Sequence, residues 1–411
     1  MNAMRERLRY WVWLSQCFSY GSGKLGRLVE AGADPEKLCL EGREYRKSFG
    51  FLDENDLNRL AHVSIERADL ILEDCEKKKI WAVSIEDDLY PPPLRHIYGP
   101  PVVLYGKGEL AGLSETLRVT IVGTRECSDY AKSAAGNIAF QLARTGVTVV
   151  SGCAVGIDEY AHRGAVKAGG RSVGILACGA DVNYPRDTET VRDHMLYRGG
   201  ALITELPPGT HVNRNYFATR NRLLAGISEG VFVVQAPQRS GALITAELAV
   251  EQGKELFCLP PANIFDPNYL GVVPYLRDGA VPVYSAADIL SEYEAQWADR
   301  INLEALHKPV RPAAQSAARV ADEPAYQAKP APAAAAGKAK ASPPPAAELS
   351  LSDALREIYA LLEDAPRPMD EIIRQSGKQP PEVLAALTEL ELLGLVTAYP
   401  GRLYGRADGA R

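Results

Sequence analysis

Cysteine is scarce and unpatterned in this 411-residue chain. The seven residues, at positions 17, 39, 75, 127, 153, 178 and 258, are odd in number and form no Cys-x-x-Cys pair. That excludes a disulfide framework and a thiolate zinc site, and it predicts reduced thiols in a cytoplasmic protein. Histidine is equally thin: none of the six stands in an H-E-x-x-H spacing, so no metal and no cofactor are expected. No apolar run approaches the ~18 residues of a membrane span. Tyr10-Trp11-Val12-Trp13-Leu14 follows a charged start and is too short for a signal-peptide core. An excess of positive charge is missing as well. The net charge of −6 speaks against indiscriminate coating of nucleic acid.

Charge is distributed unevenly. Residues 1–117 carry 16 basic and 19 acidic side chains, whereas 118–290 carry 16 of each. Between Leu206 and Ser240 stand four arginines and one acid, Glu229. A local cationic patch of this kind can hold phosphates on an acidic molecule.

Four regions follow from composition and periodicity. Residues 1–76 read as helical. Their Gly21-Ser22-Gly23-Lys24 string lacks the earlier Gly of a phosphate loop and has Leu25 in place of its Ser/Thr, so a helix-turn-helix hairpin is expected. Residues 77–296 alternate strand and helix. Strands are predicted at Ile80–Val83, Val102–Tyr105, Val119–Val122, Val147–Val150, Ser172–Leu176, Ala201–Thr204, Val231–Val234 and Glu255–Leu259. Helices are predicted at about 128–145, 156–169, 188–198, 216–226 and 241–252. Strands this apolar, joined by helices, imply an α/β fold with a mostly parallel sheet covered on both faces. Residues 297–348, Ala/Pro-rich from about 307, read as a disordered linker. Residues 349–411 read as three helices and a hairpin, a winged helix. Its expected recognition helix carries Glu382, Glu389 and Glu391 and no Lys or Arg, which favours protein contact over DNA readout.

Three predicted strands end in Gly-bearing turns: Gly123-Thr124-Arg125, Ser151-Gly152 leading to Gly156-Ile157-Asp158, and Arg239-Ser240-Gly241. Glycine lets backbone approach a ligand, helix N-termini offer free N–H groups, and arginine clamps phosphate oxygens. Each turn alone is equally an ordinary strand-to-helix connection, with Ser128 as an N-cap after the first. The second lacks the acidic residue of a dinucleotide fingerprint. Asp158 is expected to cap or to orient an arginine, and His162, one turn further on, to be structural. Arg220-Asn221-Arg222 is read as the opening of a helix. Adjacent helical positions diverge by ~100°, so one arginine is expected to bind phosphate while the other packs or pairs with Asp158 or Glu205. Tyr216 and Phe217 are candidate stacking aromatics at the rim, Phe217 equally a packing residue.

Taken in order, Gly123-Thr124-Arg125, Ser151-Gly152-x-Ala154-x-Gly156-Ile157-Asp158, Arg220-Asn221-Arg222-x-x-Ala225-Gly226-x-Ser228 and Ser240-Gly241-x-Leu243-Ile244-Thr245-Ala246 resemble the DprA/Smf family of DNA-processing proteins. Thr204-Glu205-x-Pro207-Pro208-Gly209 and Glu251-Gln252-Gly253-Lys254 add to the likeness, which spans about 80–290. The resemblance implies an extended Rossmann-like core, an N-terminal SAM-like domain and a C-terminal winged helix. It also implies single-stranded DNA binding without catalysis, self-association as a homodimer, and loading of RecA. Carried onto this sequence, Gly123, Thr124, Arg125, Ser151, Gly152, Arg220, Asn221, Arg222, Ser240 and Gly241 form the phosphate site, with Asp158, Glu205, Tyr216 and Phe217 supporting it. Departures are Val155 for a usual basic residue, Pro260-Pro261 for Pro-Gly, and Gly271-Val272-Val273 for Gly-x-Asn. The rival reading is an enzyme or sensor of nucleoside monophosphates with Asp158 and Glu247 as acids. Its Pro-Gly-Gly-x-Gly-Thr loop is absent from this chain.

Overall fold

The structure is a computed structural model in which residues 2–307, 353–362, 367–392, 395–399 and 403–406 are described. The chain divides into two compact units at 326/327.

The first unit is built on a nine-stranded sheet: β1 (Trp81–Ser84), β2 (Val103–Gly108), β3 (Arg118–Val122), β4 (Thr148–Ser151), β5 (Ser172–Ile175), β6 (Ala201–Thr204), β7 (Gly230–Val233), β8 (Glu255–Cys258) and β9 (Val281–Pro282). Their spatial order is β1-β2-β6-β5-β4-β3-β7-β8-β9. Strands β3 to β9 pair in parallel, and β1–β2 and β2–β6 are antiparallel. Every residue of β3, β4, β5, β6 and β7 is buried, as their β-branched runs require. From β3 the chain winds outward through β4, β5 and β6, then returns to place β7 on the other side of β3. The gap beyond the C-terminal ends of β3 and β7 is the topological switch point, where open α/β sheets hold ligands. The register pairs Val122 with Val233, so those two ends are level.

Helices Asp129–Arg144, Ile157–Lys167, Glu189–Tyr197, Arg214–Ile227 and Gly241–Glu251 lie close to their expected positions. Ser128 caps the first, its Oγ accepting from Ala131 N at 3.2 Å. The helix Arg214–Ile227 starts at the Asn213 cap, so Arg220-Asn221-Arg222 sits in its middle rather than opening it. Six helices fill residues 2–77. Lys24 is tied to Asp53 at 2.7 Å and to Asp56, and Ser22 caps a helix, so the Gly21–Lys24 turn is structural. The buried core runs unbroken from Trp11 in these helices to Ile301. Residues 297–307, expected to open the linker, are folded: Ile301 and Ala305 are buried, and Asn302 N donates to Thr145 O at 2.9 Å. Ile301 belongs to the buried core of the first unit. The rest of the expected linker, 308–348, lies outside the described residues.

In the second unit, helices Asp353–Ala360, Met369–Ser376 and Pro380–Leu392 accompany a three-stranded antiparallel sheet of Arg367–Pro368, Leu403–Arg406 and Val396–Tyr399. Its own core contains Leu355, Ile358, Ile372, Val383, Leu387 and Leu390. This is the expected winged helix. On its third helix Glu382 and Glu389 are exposed.

Candidate functional site

The loops after β3, β4 and β7 nest into one another beyond the strand ends. Thr124 N donates to Gln235 O at 2.7 Å, Ile157 N donates to Thr124 O at 3.3 Å, and Ser128 N donates to Gln235 Oε1 at 2.8 Å. Two glycines are demanded by this closeness. A Cβ on Gly123 would lie 2.9 Å from Ile157 Cβ, and one on Gly156, whose φ is +85°, would lie 2.6 Å from Thr124 O. Between the loops opens a cleft of about 370 Å³. Gly123, Thr124, Arg125, Arg220, Asn221, Ser240 and Gly241 line it, together with Asp158 and Phe217.

Arg220 supplies the buried cation of this cleft. It is 6% exposed, and its Nη1 donates to Ile175 O at the end of β5. Its Nε has no acceptor. Asp158 lies beside it, its Oδ2 accepting from Gly152 N at 3.1 Å and Ala154 N at 3.4 Å. A Cβ on Gly152 would sit 2.7 Å from both Arg220 Nη2 and Asp158 Oδ2. Glycine is what lets the β4 loop close over the pair. Burial pushes the Asp158 carboxyl above its ordinary range, opposed by the Arg220 charge and the N–H donors. Burial likewise lowers Arg220, with Asp158 the largest opposing influence. Asp158 therefore ties the β4 loop and places a negative charge beside Arg220; Gly156, not Asp158, caps the helix Ile157–Lys167. Asn221 donates from Nδ2 to Gly241 O at 3.0 Å, joining the two cleft-lining helices.

Four expected site residues stand elsewhere. Ser151 is fully buried, its hydroxyl donating to Ile121 O at 2.6 Å and lying within hydrogen-bonding reach of the Asp158 carboxyl, so it supports Asp158 from beneath and does not line the cleft. Arg222 lies two residues round the helix from Arg220 and pairs with Glu205 at 2.6 Å, both side chains 8% exposed. The expectation that the two arginines diverge holds, and it is Arg220 that reaches the cleft. Glu205 accordingly serves Arg222, and burial raises its carboxyl against the opposing Arg222 charge. Tyr216 packs edge-on against Tyr20, 5.9 Å between ring centroids, on the side of the N-terminal helices. Gly152 lines a small slot adjoining the cleft rather than the cleft itself. His162 is structural: fully buried, with Nδ1 2.8 Å from Ser172 Oγ, and pushed down to about 3 by burial and by the charges of Arg192 and Arg220.

The cleft continues into a groove of about 900 Å³ past Phe217 to Arg214, Arg239 and Glu247. Arg125 is exposed, stands 5.0 Å over the Phe217 ring, and belongs to both the cleft and the groove. Three exposed arginines and the buried Arg220 thus line one continuous path, with Glu126, Asp158 and Glu247 the acids on its walls. Arg214 was not singled out from sequence, whereas Arg239 opens the third Gly-bearing turn; both belong to the four-arginine stretch that the charge count exposed. Arg239 stands at φ +66°, a backbone conformation unusual outside glycine. Among the described residues no group of His, Cys, Asp and Glu is placed to hold a metal ion, and no helix is long and apolar enough to cross a membrane.

Fold and site together define a doubly wound α/β protein with a cationic cleft at the sheet's switch point, linked in sequence to a winged helix. The profile of the family described as DNA recombination-mediator protein A matches residues 81–294, and that of the DprA winged helix domain matches 342–402. The chain is 39% identical over 222 residues to DNA processing protein DprA of Bacillus subtilis (strain 168), covering 54% of this chain and 74% of that protein. It is 31% identical over 321 residues to Protein Smf of Escherichia coli (strain K12), covering 78% and 75% respectively. The X-ray structure of DNA processing protein A from Streptococcus pneumoniae superposes with a TM-score of 0.59 at 30% identity, over 68% of this chain and 95% of that one. The chain belongs to the DprA/Smf family of DNA-processing, recombination-mediator proteins.

Proposed function

We propose that the cleft and groove bind the backbone of single-stranded DNA without cleaving it. The observation that carries this reading is one continuous path lined by Arg125, Arg220, Arg214 and Arg239, longer than a cleft of about 370 Å³ built for one small ligand. The exposed Arg125, Arg214 and Arg239 enter no ion pair among the described residues, so their charge is available to phosphate. Phe217 supports a single strand in particular, because a duplex keeps its bases stacked inside and an aromatic platform needs unpaired ones. Asp158, committed to two backbone N–H groups beneath Gly152, acts as a brace and not as a catalytic acid.

On this reading the protein protects incoming DNA in the cytoplasm and loads RecA onto it during transformation or recombination, consistent with the family's description as a recombination mediator. On the same reading the chain associates as a homodimer. The acidic third helix of the winged unit serves a protein contact. The core at 77–296 carries the DNA, the helices of 1–76 brace it, and 349–411 forms a tethered module.

A gel-shift comparison of single- and double-stranded oligonucleotides at two salt concentrations tests the reading. The expected result is preference for the single strand, with log K falling by roughly 0.7 per phosphate neutralised. Equal affinities, or binding indifferent to salt, would overturn it. Release of base from nucleoside monophosphates, abolished in Asp158→Asn, would replace it with a hydrolase.

A further inference from the structure

The loop that carries Arg125 is pinned at both ends by a single residue just beyond β7. That residue, Gln235, is fully buried. Its carbonyl oxygen accepts from Thr124 N at 2.7 Å, and its side-chain Oε1 accepts from Ser128 N at 2.8 Å. Gly123 permits this approach, since a Cβ there would lie 3.0 Å from Gln235 O. Each anchor has a further hold. Thr124 O accepts from Ile157 N at 3.3 Å, and Ser128 Oγ caps the following helix and lies 3.1 Å from Tyr269 Oη. Only Arg125, Glu126 and Cys127 stand between the anchors. The side-chain bond also meets a need that the local sequence leaves open. In a capping box the third helical residue returns a side-chain acceptor to the N–H of the cap. Here that residue is Ala131, which has none, and Gln235, 107 positions further along the chain, supplies it.

We infer that Gln235 is a positioning residue for DNA binding: it holds the β3 loop in its binding form in the free protein, so that Arg125 meets a phosphate without first being ordered. This deepens the single-strand reading and rests on it. Gln235 lines neither the cleft nor the groove, and with no exposed surface it does not touch DNA itself. It acts through Arg125, whose exposed guanidinium stands over Phe217. A loop already in place spares the entropy that a free one loses on binding. The Nε2 of Gln235 has no partner, so the role of the side chain lies in its oxygen. A carboxylate offers the same oxygen, and the positive end of the helix Asp129–Arg144 favours its charge.

The test measures binding of a single-stranded oligonucleotide by the full chain, as wild type, Gln235→Met, Gln235→Glu, Arg125→Ala and the Gln235→Met/Arg125→Ala double variant. Gln235→Met keeps an unbranched side chain of similar length without its oxygen. It should bind about ten-fold more weakly, the worth of one hydrogen bond, with a smaller salt slope. Gln235→Glu should bind as wild type. The double variant should bind no more weakly than Arg125→Ala, because a loop without its cation has nothing left to position. Wild-type affinity in Gln235→Met, or a loss that adds in full to that of Arg125→Ala, would overturn the inference and leave the single-strand reading standing. Hydrogen exchange on the free wild-type chain needs no variant. The Ser128 amide should be protected before DNA is added, and unprotected exchange there would equally overturn the inference. If wild type binds no single strand, the single-strand reading falls and this assignment falls with it.

Discussion

At the scale of single residues, the site rests on side chains whose partners decide whether their charge reaches a ligand. Arg220 and Arg222 are two positions apart on one helix, yet one faces the cleft and the other is neutralised by Glu205. Arg222→Ala should therefore act on stability, because it leaves a buried carboxylate unpaired at a cost of about 3–5 kcal/mol. Its salt dependence of DNA binding should stay as in wild type; a flattened slope in a folded Arg222→Ala would return that arginine to the site. His162 offers a separate check. Its folded-state pKa is depressed from 6.5 to about 3, so between those values the unfolded chain takes up a proton that the folded chain refuses. Stability from this group is complete above pH 6.5 and is lost as pH falls toward 3, by up to ~1.4 kcal/mol per pH unit. Asp158 and Glu205, both raised, act in the opposite sense, so the readout is a difference. Denaturant melts of His162→Gln should show a shallower loss on acidification than wild type, and identical slopes would refute the burial argument.

At the scale of elements, the glycine turns hold the loops at the distances the cleft needs. Gly152→Ala should displace Arg220 or Asp158, since its Cβ meets both at 2.7 Å, and DNA binding should fall while the fold persists. Gly241→Ala is the matched control: nothing lies within 4 Å of its Cβ, and binding should remain near wild type. Equal effects of the two substitutions would contradict the nested-loop geometry. The strands were legible in the sequence because runs such as Val119–Val122 and Val147–Val150 are β-branched throughout and uncharged, as suits buried parallel strands. The strand β9 was not, because Val281–Pro282 is too short to show alternation. Nor was the start of the helix at Arg214, since Asn213 caps a polar first turn with no apolar periodicity. The facing of Ser151 and Tyr216 depends on strand phase and on the packing of the N-terminal helices, neither of which a local motif encodes. Arg125 was legible because Gly turns at strand ends imply a common edge, and Arg220 because it falls in the stretch from Leu206 to Ser240, where arginines outnumber acids.

At the scale of the whole molecule, one hydrophobic core joins the N-terminal helices to the sheet, and a second core belongs to the winged helix alone. The residues that line the proposed DNA path belong to the first unit, so a chain ending near residue 307 should keep its single-strand affinity; a large loss would move part of the path to the winged unit. The proposed homodimer predicts a light-scattering mass of two copies, and the mass of a single copy would refute it. The overall charge of −6 makes long-range attraction to DNA weak, so affinity must come from the local row of arginines. The most direct measurement of that claim is the salt dependence of single-strand binding in wild type and Arg125→Ala. Loss of one phosphate contact should reduce the slope of log K against log salt by about 0.7, with weaker binding at low salt. An unchanged slope and affinity would contradict it.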